Sequence, residues 1–218
     1  MNFWTLHSFQ FGATLDMLLF MRVLGLRTRA LRLEALDANR ERDVMRSLAH
    51  TDPLTGLPNR RGLNISLASA LSRCSAEKML AVYVMDLDGF KPVNDQHGHD
   101  VGDELLVAVA RRLQCHLRQS DVIARLGGDE FVVMTGELHS TAQAHELGLK
   151  LLEAFSSPFA LGGIQVQVGL TIGYAIAPID SQDGAGLIKL ADAAMYSGKQ
   201  SGKFCVRRNT GDLALSSA

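Results

Sequence analysis

The chain has 218 residues, of which 47% are hydrophobic and 21% are charged, and its formal net charge is −1. This composition is typical of a folded protein with a sizeable core and excludes a disordered one. The small net charge supplies no basic field for nucleic acid, so bound phosphates would need local groups. Three cysteines without CxxC spacing indicate a reducing compartment and argue against a disulfide framework or a zinc site.

The first 50 residues predict one long helix. Phe9–Leu26 has nearly the apolar length of a membrane helix, but Asp16 and Arg22 interrupt it. If this segment spans a membrane, the arginines at its end place everything downstream in the cytoplasm. The alternative is an amphipathic or dimerising helix, and both interpretations stay open. Residues 27–49 lack glycine and proline and carry a short heptad stripe, which favours a dimer stalk.

Thr51–Leu63 contains two prolines and two glycines and marks the start of the main domain, expected over residues 51–208. Residues 209–218 are expected to be a disordered tail. Helices alternating with strands, one pair forming a hairpin, predict an α/β fold with a mixed central sheet. Helices are predicted over Asn64–Ser75, Val101–Leu117, Thr141–Phe155 and Gly184–Ser197, a polar loop over Asp86–His99, and strands over Leu80–Met85, Asp121–Arg125, Phe131–Thr135, Ile164–Ala177 and Phe204–Val206.

Two acid-rich segments follow predicted strands. RLGGDEF (Arg125–Phe131) predicts a hairpin with a glycine pair at its tip, followed by the adjacent acids Asp129 and Glu130. Asp86 stands at the end of the first buried strand, and Asp88 follows it. If the hairpin lies beside that strand, the carboxylates converge and need a cation to offset their repulsion. A cluster of oxygen ligands is typical of a site for Mg²⁺ or Mn²⁺.

Four blocks of the sequence together resemble the GGDEF family of diguanylate cyclases. They are DPLTGLPNRR, DLDGFKPVNDQHGHDVGD, RLGGDEF and ADAAMYSGKQSGK, in this order between about Asp52 and Arg208. The resemblance implies condensation of two GTP molecules into cyclic di-GMP and a fold similar to the polymerase palm and the class III nucleotide cyclase core. Since the family places one GTP on each of two facing domains, it also implies a homodimer, which an N-terminal stalk would orient.

The resemblance assigns roles residue by residue. It implies metal binding by Asp86, Asp129, Glu130 and the backbone carbonyl of Leu87, with Glu130 as an alternative base for the attacking hydroxyl. An acid that accepts from the N1–H and N2–H₂ edge of guanine discriminates against adenine. Substrate contacts are implied for Asn94 and Asp103 with guanine, for Phe90 and Lys91 in a phosphate-cradling turn, for His99 in the same loop, for Gly127 and Gly128 at the tight turn under the nucleotide, and for Lys199 and Lys203 with the terminal phosphates.

Two positions depart from the family pattern. Lys203 stands where arginine is usual, which keeps the charge, loses the bidentate fork and predicts weaker GTP binding. Gly198 replaces a common alanine and is expected only to loosen its helix end.

RQSD (Arg118–Asp121) matches the family's RxxD inhibitory site. There Arg118 would bracket a guanine or phosphate of the product and Asp121 would bind a guanine edge.

Alternatives to an active cyclase remain. A weak or inactive GGDEF domain would serve as a receptor for GTP or cyclic di-GMP, although the signature residues that degenerate members lose are all present here. A palm-like polymerase or adenylate cyclase is disfavoured by Asn94 and Asp103.

Tyr174, Met195 and Tyr196 lie in apolar patterns and are predicted to be core residues. The N-terminal helix resembles the last membrane helix and stalk of seven-helix sensor cyclases.

Overall fold

A computed structural model describes residues 21–22 and 50–209 of the chain. Most of the predicted N-terminal helix and stalk, and nearly all of the predicted tail, lie outside these residues. Within the described ranges, no helix is both long enough and apolar enough to cross a membrane.

Helices and strands are interspersed along the chain after residue 58, as expected for an α/β fold. In chain order they are α1 (Arg60–Leu71), β1 (Met79–Asp88), α2 (Phe90–His97), α3 (His99–Cys115), β2 (Val122–Gly127), β3 (Glu130–Leu138), α4 (Thr141–Glu153), β4 (Phe159–Leu161), β5 (Ile164–Val166), β6 (Gly169–Ala177), α5 (Gly184–Gln200) and β7 (Val206–Arg208).

The main sheet has the strand order β2-β3-β1-β6-β7. Strands β6 and β7 run parallel, and the other neighbours run antiparallel. All ten residues of the central strand β1 are buried, which explains its continuous apolar run. The expected mixed sheet flanked by helices is therefore confirmed, while β4 and β5 form a separate two-stranded hairpin.

Helices cover both faces of this sheet. Helices α3 and α4 pack on one face, and α1 and α5 pack on the other. Helix α5 approaches β6 closely because Gly173 has no side chain: a Cβ there would lie 2.1 Å from the Ala191 carbonyl oxygen. Side chains of a strand alternate between faces, so Asp86 and Asp88 share the α1/α5 face with Val84.

Several predicted boundaries are wrong for local reasons. Helix α1 begins at Arg60, before the predicted Asn64, because the Asn59 side chain accepts hydrogen bonds from two N–H groups of the first turn. The expected polar loop after β1 contains the short helix α2, whose FKPVNDQH sequence has little apolar periodicity. Strand β4 was not predicted, since its three residues give no usable pattern.

The prediction of three apolar-pattern residues in the core is only partly right. Tyr174 and Met195 are buried, whereas Tyr196 is 62% exposed. On α5, Ala191 and Met195 take the positions against the sheet. Tyr196 follows directly after Met195 and is rotated by about 100° around the helix axis, away from the core.

Candidate active site

The hairpin lies beside β1, and its register places two acids directly opposite each other. Asp86 pairs with Glu130 on β3 and with Thr171 on β6. Residues opposite each other in antiparallel strands project from the same face of the sheet. One polar row therefore crosses three strands under α5, and the two carboxylates within it are immediate neighbours.

Helix α5 supplies a cation to this row. The Lys199 Nζ lies 2.5 Å from Asp86 Oδ1. Burial raises the pKa of Asp86, and repulsion from Asp129 and Asp88 raises it further, whereas the Lys199 ammonium acts in the opposite direction. Lys199 thus offsets part of the charge of Asp86 and places an ammonium group beside the polar row.

Glu130 sits in a more negative environment than Asp86. Burial raises the pKa of Glu130, repulsion from Asp86, Asp192 and Asp129 adds to this, and Arg60 opposes it. Glu130, Asp192 and Arg60 line a groove of about 830 Å³ between α1 and α5. The sequence prediction missed Asp192 and Arg60. Asp192 could have been found, because it precedes Lys199 by seven residues and so lies on the same helical face.

The donor set fits a divalent cation. A buried and a half-buried carboxylate, both with raised pKa values, are stabilised by added positive charge. Magnesium in nucleotide sites commonly takes one or two carboxylates and completes its shell with water and substrate phosphates. Within residues 21–22 and 50–209, no three or more His, Cys, Asp or Glu side chains are spaced to hold an ion by themselves. The three predicted acids therefore do not form a complete protein cage.

The start of α2 offers free backbone donors next to these acids. Gly89 has φ of 92° and precedes the helix, and no side chain in the described part of the chain caps the first N–H groups of α2. Phe90 and Lys91 form that first turn. Uncapped N–H groups at a helix N-terminus favour anions, and here they follow β1 directly.

The predicted guanine-reading pair is brought together by α2 and α3. The Asn94 Oδ1 is buried and has no hydrogen-bond partner among the described residues. Its amide packs against Gly102, where an added Cβ would lie 1.8 Å from Oδ1. Asp103 is the next residue and is exposed, and His99 is the first residue of α3. A buried, unsatisfied amide beside an exposed carboxylate suits a ligand with a polar edge.

The hairpin tip is held by an ion pair between residues far apart in the sequence, Arg125 and Asp52. Gly127 and Gly128 have φ of 142° and 53°, which explains the glycine pair. Arg125 donates to the Gly128 carbonyl at 3.0 and 2.8 Å and to both Asp52 oxygens at 3.0 Å. Burial alone would raise the pKa of Asp52, but hydrogen bonds from Thr55 and Arg125 outweigh it and lower the pKa.

The loop after α5 carries Lys203, which is exposed and has φ of 63°. Gly198, at the end of α5, is tightly packed: a Cβ there would lie 2.9 Å from Cys205 Sγ and 3.0 Å from Thr171 Cγ2. The expectation that this glycine only loosens the helix end is therefore wrong, because it allows α5 to pack closely.

The RxxD segment lies at the other end of β2 and β3 from the hairpin tip. Asp121 Oδ2 accepts a 2.8 Å hydrogen bond from the Arg118 N–H, and its Oδ1 accepts a 2.7 Å bond from the Thr135 hydroxyl. The Arg118 side chain is exposed. Both residues line a surface cavity of about 580 Å³ that also includes Lys150.

Comparison with known proteins identifies the family of the chain. The family model described as "Diguanylate cyclase, GGDEF domain" matches residues 49–205. The chain belongs to the GGDEF family. MucR of Pseudomonas aeruginosa, a bifunctional diguanylate cyclase/cyclic di-GMP phosphodiesterase, is 42% identical over 181 residues, which are 83% of this chain but 26% of MucR. The chain thus spans about a quarter of that relative.

Two solved GGDEF structures are similar to this chain. The GGDEF domain of TpbB from Pseudomonas aeruginosa has 39% identity and a TM-score of 0.68, covering 71% of this chain and 97% of that one. The coiled coil and GGDEF domain of DgcB from Caulobacter crescentus, solved with cyclic di-GMP, has 25% identity and a TM-score of 0.73. That match covers 85% of this chain and 98% of the DgcB chain.

Proposed function

We propose that this GGDEF chain is a diguanylate cyclase that condenses two GTP into cyclic di-GMP and two pyrophosphates. The observation that carries the proposal is the Asp86–Lys199 pair, placed beside Glu130 and before the uncapped start of α2. This arrangement combines acids for a divalent metal with an ammonium and N–H groups for phosphates.

Each residue of the site has a defined task in this reaction. Asn94 and Asp103 bind the guanine, while the N–H groups of Phe90 and Lys91, with Lys199 and Lys203, hold the phosphates. Asp86, Asp129 and the Leu87 carbonyl hold Mg²⁺ or Mn²⁺, with Glu130 as a further ligand. The metal, when bound, neutralises phosphate charge and lowers the pKa of the attacking hydroxyl.

The chemical step joins two substrates. The O3′ of one GTP attacks the α-phosphorus of the other, and the bond to pyrophosphate breaks. If Glu130 is not a metal ligand, its raised pKa suits it to accept the O3′ proton. A second, symmetric attack closes the ring. Because each domain holds one GTP, the reaction needs two facing copies of the chain.

The decisive test is incubation of the purified chain with GTP and Mg²⁺, followed by chromatography for cyclic di-GMP and pyrophosphate. We expect product from GTP and none from ATP, and none from an Asp129→Ala variant. Tight GTP or cyclic di-GMP binding without product at high protein concentration would instead assign a receptor function. If the chain neither binds these nucleotides nor forms product, both the cyclase and the receptor function are excluded.

The dimer is proposed to depend on the N-terminal segment, which also carries any membrane association. DgcB, one of the similar structures, contains a coiled coil together with its GGDEF domain. Removing the residues before Ser47 should lower specific activity most at low protein concentration, because the facing copies then meet only by diffusion. Equal activity of the full and shortened chains across a dilution series would contradict this part of the proposal.

A further inference from the structure

Asp88 is a buried carboxylate that the proposed reaction does not use. It lies at the end of β1 and is 8% exposed. Its Oδ2 accepts a 2.6 Å hydrogen bond from the Thr171 hydroxyl on β6 and a 3.4 Å bond from the backbone N–H of Phe204. Asp88 therefore connects the strand that carries Asp86 to the loop that carries Lys203.

That loop is held at three consecutive residues. The Lys203 N–H donates to a carbonyl of α5 at 3.1 Å, the Phe204 N–H donates to Asp88, and the Cys205 carbonyl accepts from Ile172 at 2.9 Å. Lys203 and Phe204 have φ of 63° and 47°, a backbone conformation that non-glycine residues rarely adopt. Such backbone persists only where surrounding contacts fix it. Loss of one contact should therefore release the loop.

The Phe204 ring makes a second contact at the same place. Gly169 lies opposite Asp88 in the β1/β6 pair, and a Cβ on Gly169 would lie 1.9 Å from the ring. The ring thus fills the space of a missing side chain next to Asp88, although 55% of the residue remains exposed. Both the N–H and the ring of Phe204 are therefore fixed against the end of the sheet.

We propose that Asp88 is a positioning residue for the triphosphate: together with Thr171 and Gly169 it fixes Phe204, and through Phe204 it sets the place of Lys203. This inference rests on the proposed function, in which Lys203 binds the terminal phosphates. The inference predicts that loss of the Asp88 charge weakens triphosphate binding, which is the opposite of what simple electrostatics predicts. Removing an acid near a polyanion should strengthen binding, whereas releasing the Lys203 loop should weaken it.

The test compares two nucleotides that differ in their phosphates. Calorimetry on the full chain would give the Kd for 3′-deoxy-GTP, which cannot condense, and for GMP, with Mg²⁺ and with EDTA. We expect Asp88→Asn to lower the preference for 3′-deoxy-GTP over GMP by about tenfold and Thr171→Val by about threefold, as loss of hydrogen bonds to a charged acceptor predicts. GMP affinity should stay unchanged.

Asp180→Asn is the matched control. Asp180 is also a mostly buried acid that accepts a backbone N–H, from Ile176 at 2.7 Å, and a side-chain donor, from Arg208. It lies just beyond the opposite end of β6 from Gly169. This variant should lose thermal stability in the same way as Asp88→Asn while keeping the nucleotide preference, which separates positioning from general stability.

The results that would overturn the inference are distinct. A preference within about twofold of wild type in Thr171→Val and in folded Asp88→Asn would contradict it. A loss seen only with Mg²⁺ would make Asp88 a metal ligand and would also contradict it. If wild type binds neither nucleotide, the proposed function fails separately. Amide exchange at Phe204 then tests whether Asp88 fixes this residue. Faster exchange in both variants would support the inference, and unchanged exchange would contradict it.

Discussion

Asp86 and Glu130 stand opposite each other on adjacent strands, and of the two only Asp86 has an ion pair within the described part of the chain, with Lys199. Burial raises the pKa of both carboxyl groups. Repulsion from Asp129 and Asp88 raises the pKa of Asp86 further, and repulsion from Asp86, Asp192 and Asp129 raises that of Glu130. The ionised acids therefore destabilise the folded protein when metal and nucleotide are removed. A bound cation would relieve this repulsion.

Glu130→Gln should stabilise the metal-free protein at neutral pH. Because the folded-state pKa of Glu130 is raised above 4.5, the wild-type carboxyl favours folding below about pH 4.5 and opposes it as the pH rises through the folded pKa. The gain from the glutamine should thus grow with pH. Thermal melts of both proteins in EDTA, recorded between about pH 5 and pH 8, would measure this gain as the Glu130 carboxyl ionises.

The control for that prediction is Glu104→Gln, which changes an exposed acid on α3. Its melting temperature should follow wild type across the series. A Glu130→Gln protein that is less stable than wild type at pH 8 would mean that the carboxylate makes a favourable interaction in the folded state, contrary to the charge distribution described above.

Lys199→Met should reduce kcat/KM for GTP by about a hundredfold or more, because the proposed function assigns its charge to the phosphates. Asp86 also loses its cation, so its pKa should rise. Lys199→Arg should recover part of the activity, since it keeps the charge. Lys78→Met, which removes an exposed lysine paired with Glu137 at 3.7 Å, should match wild type. Full activity of Lys199→Met would show that Lys199 has no role in the reaction.

Gly102→Ala tests the proposed guanine site without changing a polar residue. An alanine normally favours a helix over glycine, but here its Cβ would lie 1.8 Å from Asn94 Oδ1 and must displace that amide. We expect the KM for GTP to rise by about tenfold, the cost of one lost hydrogen-bonding group. Gly136→Ala is the control, because its Cβ would meet only ordinary contact with Leu80 at 3.7 Å. An unchanged KM would place guanine elsewhere.

The site was predictable where its residues are close in sequence or follow a strong pattern. The apolar run of β3 and the glycine pair place Glu130 at the start of that strand, and the apolar run of β1 places Asp86 at its end. Their meeting then follows from strand pairing. The Asp52–Arg125 pair was not predictable, since 73 residues separate its partners and each acid and base has many alternatives. Exposure of Tyr196 depends on the rotation of α5, which the close approach at Gly173 sets.

Asp52→Ala should destabilise the hairpin tip. Both side chains of the Asp52–Arg125 pair are mostly buried, at 15% and 10% exposure, so the change leaves a guanidinium without its acid. We expect a loss of about 1–3 kcal/mol in the free energy of unfolding at pH 7. Because the pKa of Asp52 is lowered, this contribution is present above its ordinary value of 3.8 and disappears as the pH falls through the folded pKa. Denaturant unfolding at pH 7 and pH 3 would measure both, and an equal deficit at the two pH values would contradict the assignment.

Arg118→Ala should keep the initial turnover of GTP but lose inhibition by cyclic di-GMP. The Asp121 carboxylate is already oriented by the Arg118 N–H and the Thr135 hydroxyl, and an alanine retains that N–H. Removal of the exposed guanidinium should therefore leave β2 and β3 undisturbed. We expect the inhibition constant for cyclic di-GMP to rise by about tenfold or more, the value of a charge-assisted contact. Arg111→Ala, an exposed arginine on α3, should leave inhibition unchanged. Inhibition that persists at its wild-type strength in Arg118→Ala would show that product acts elsewhere, at the substrate site itself.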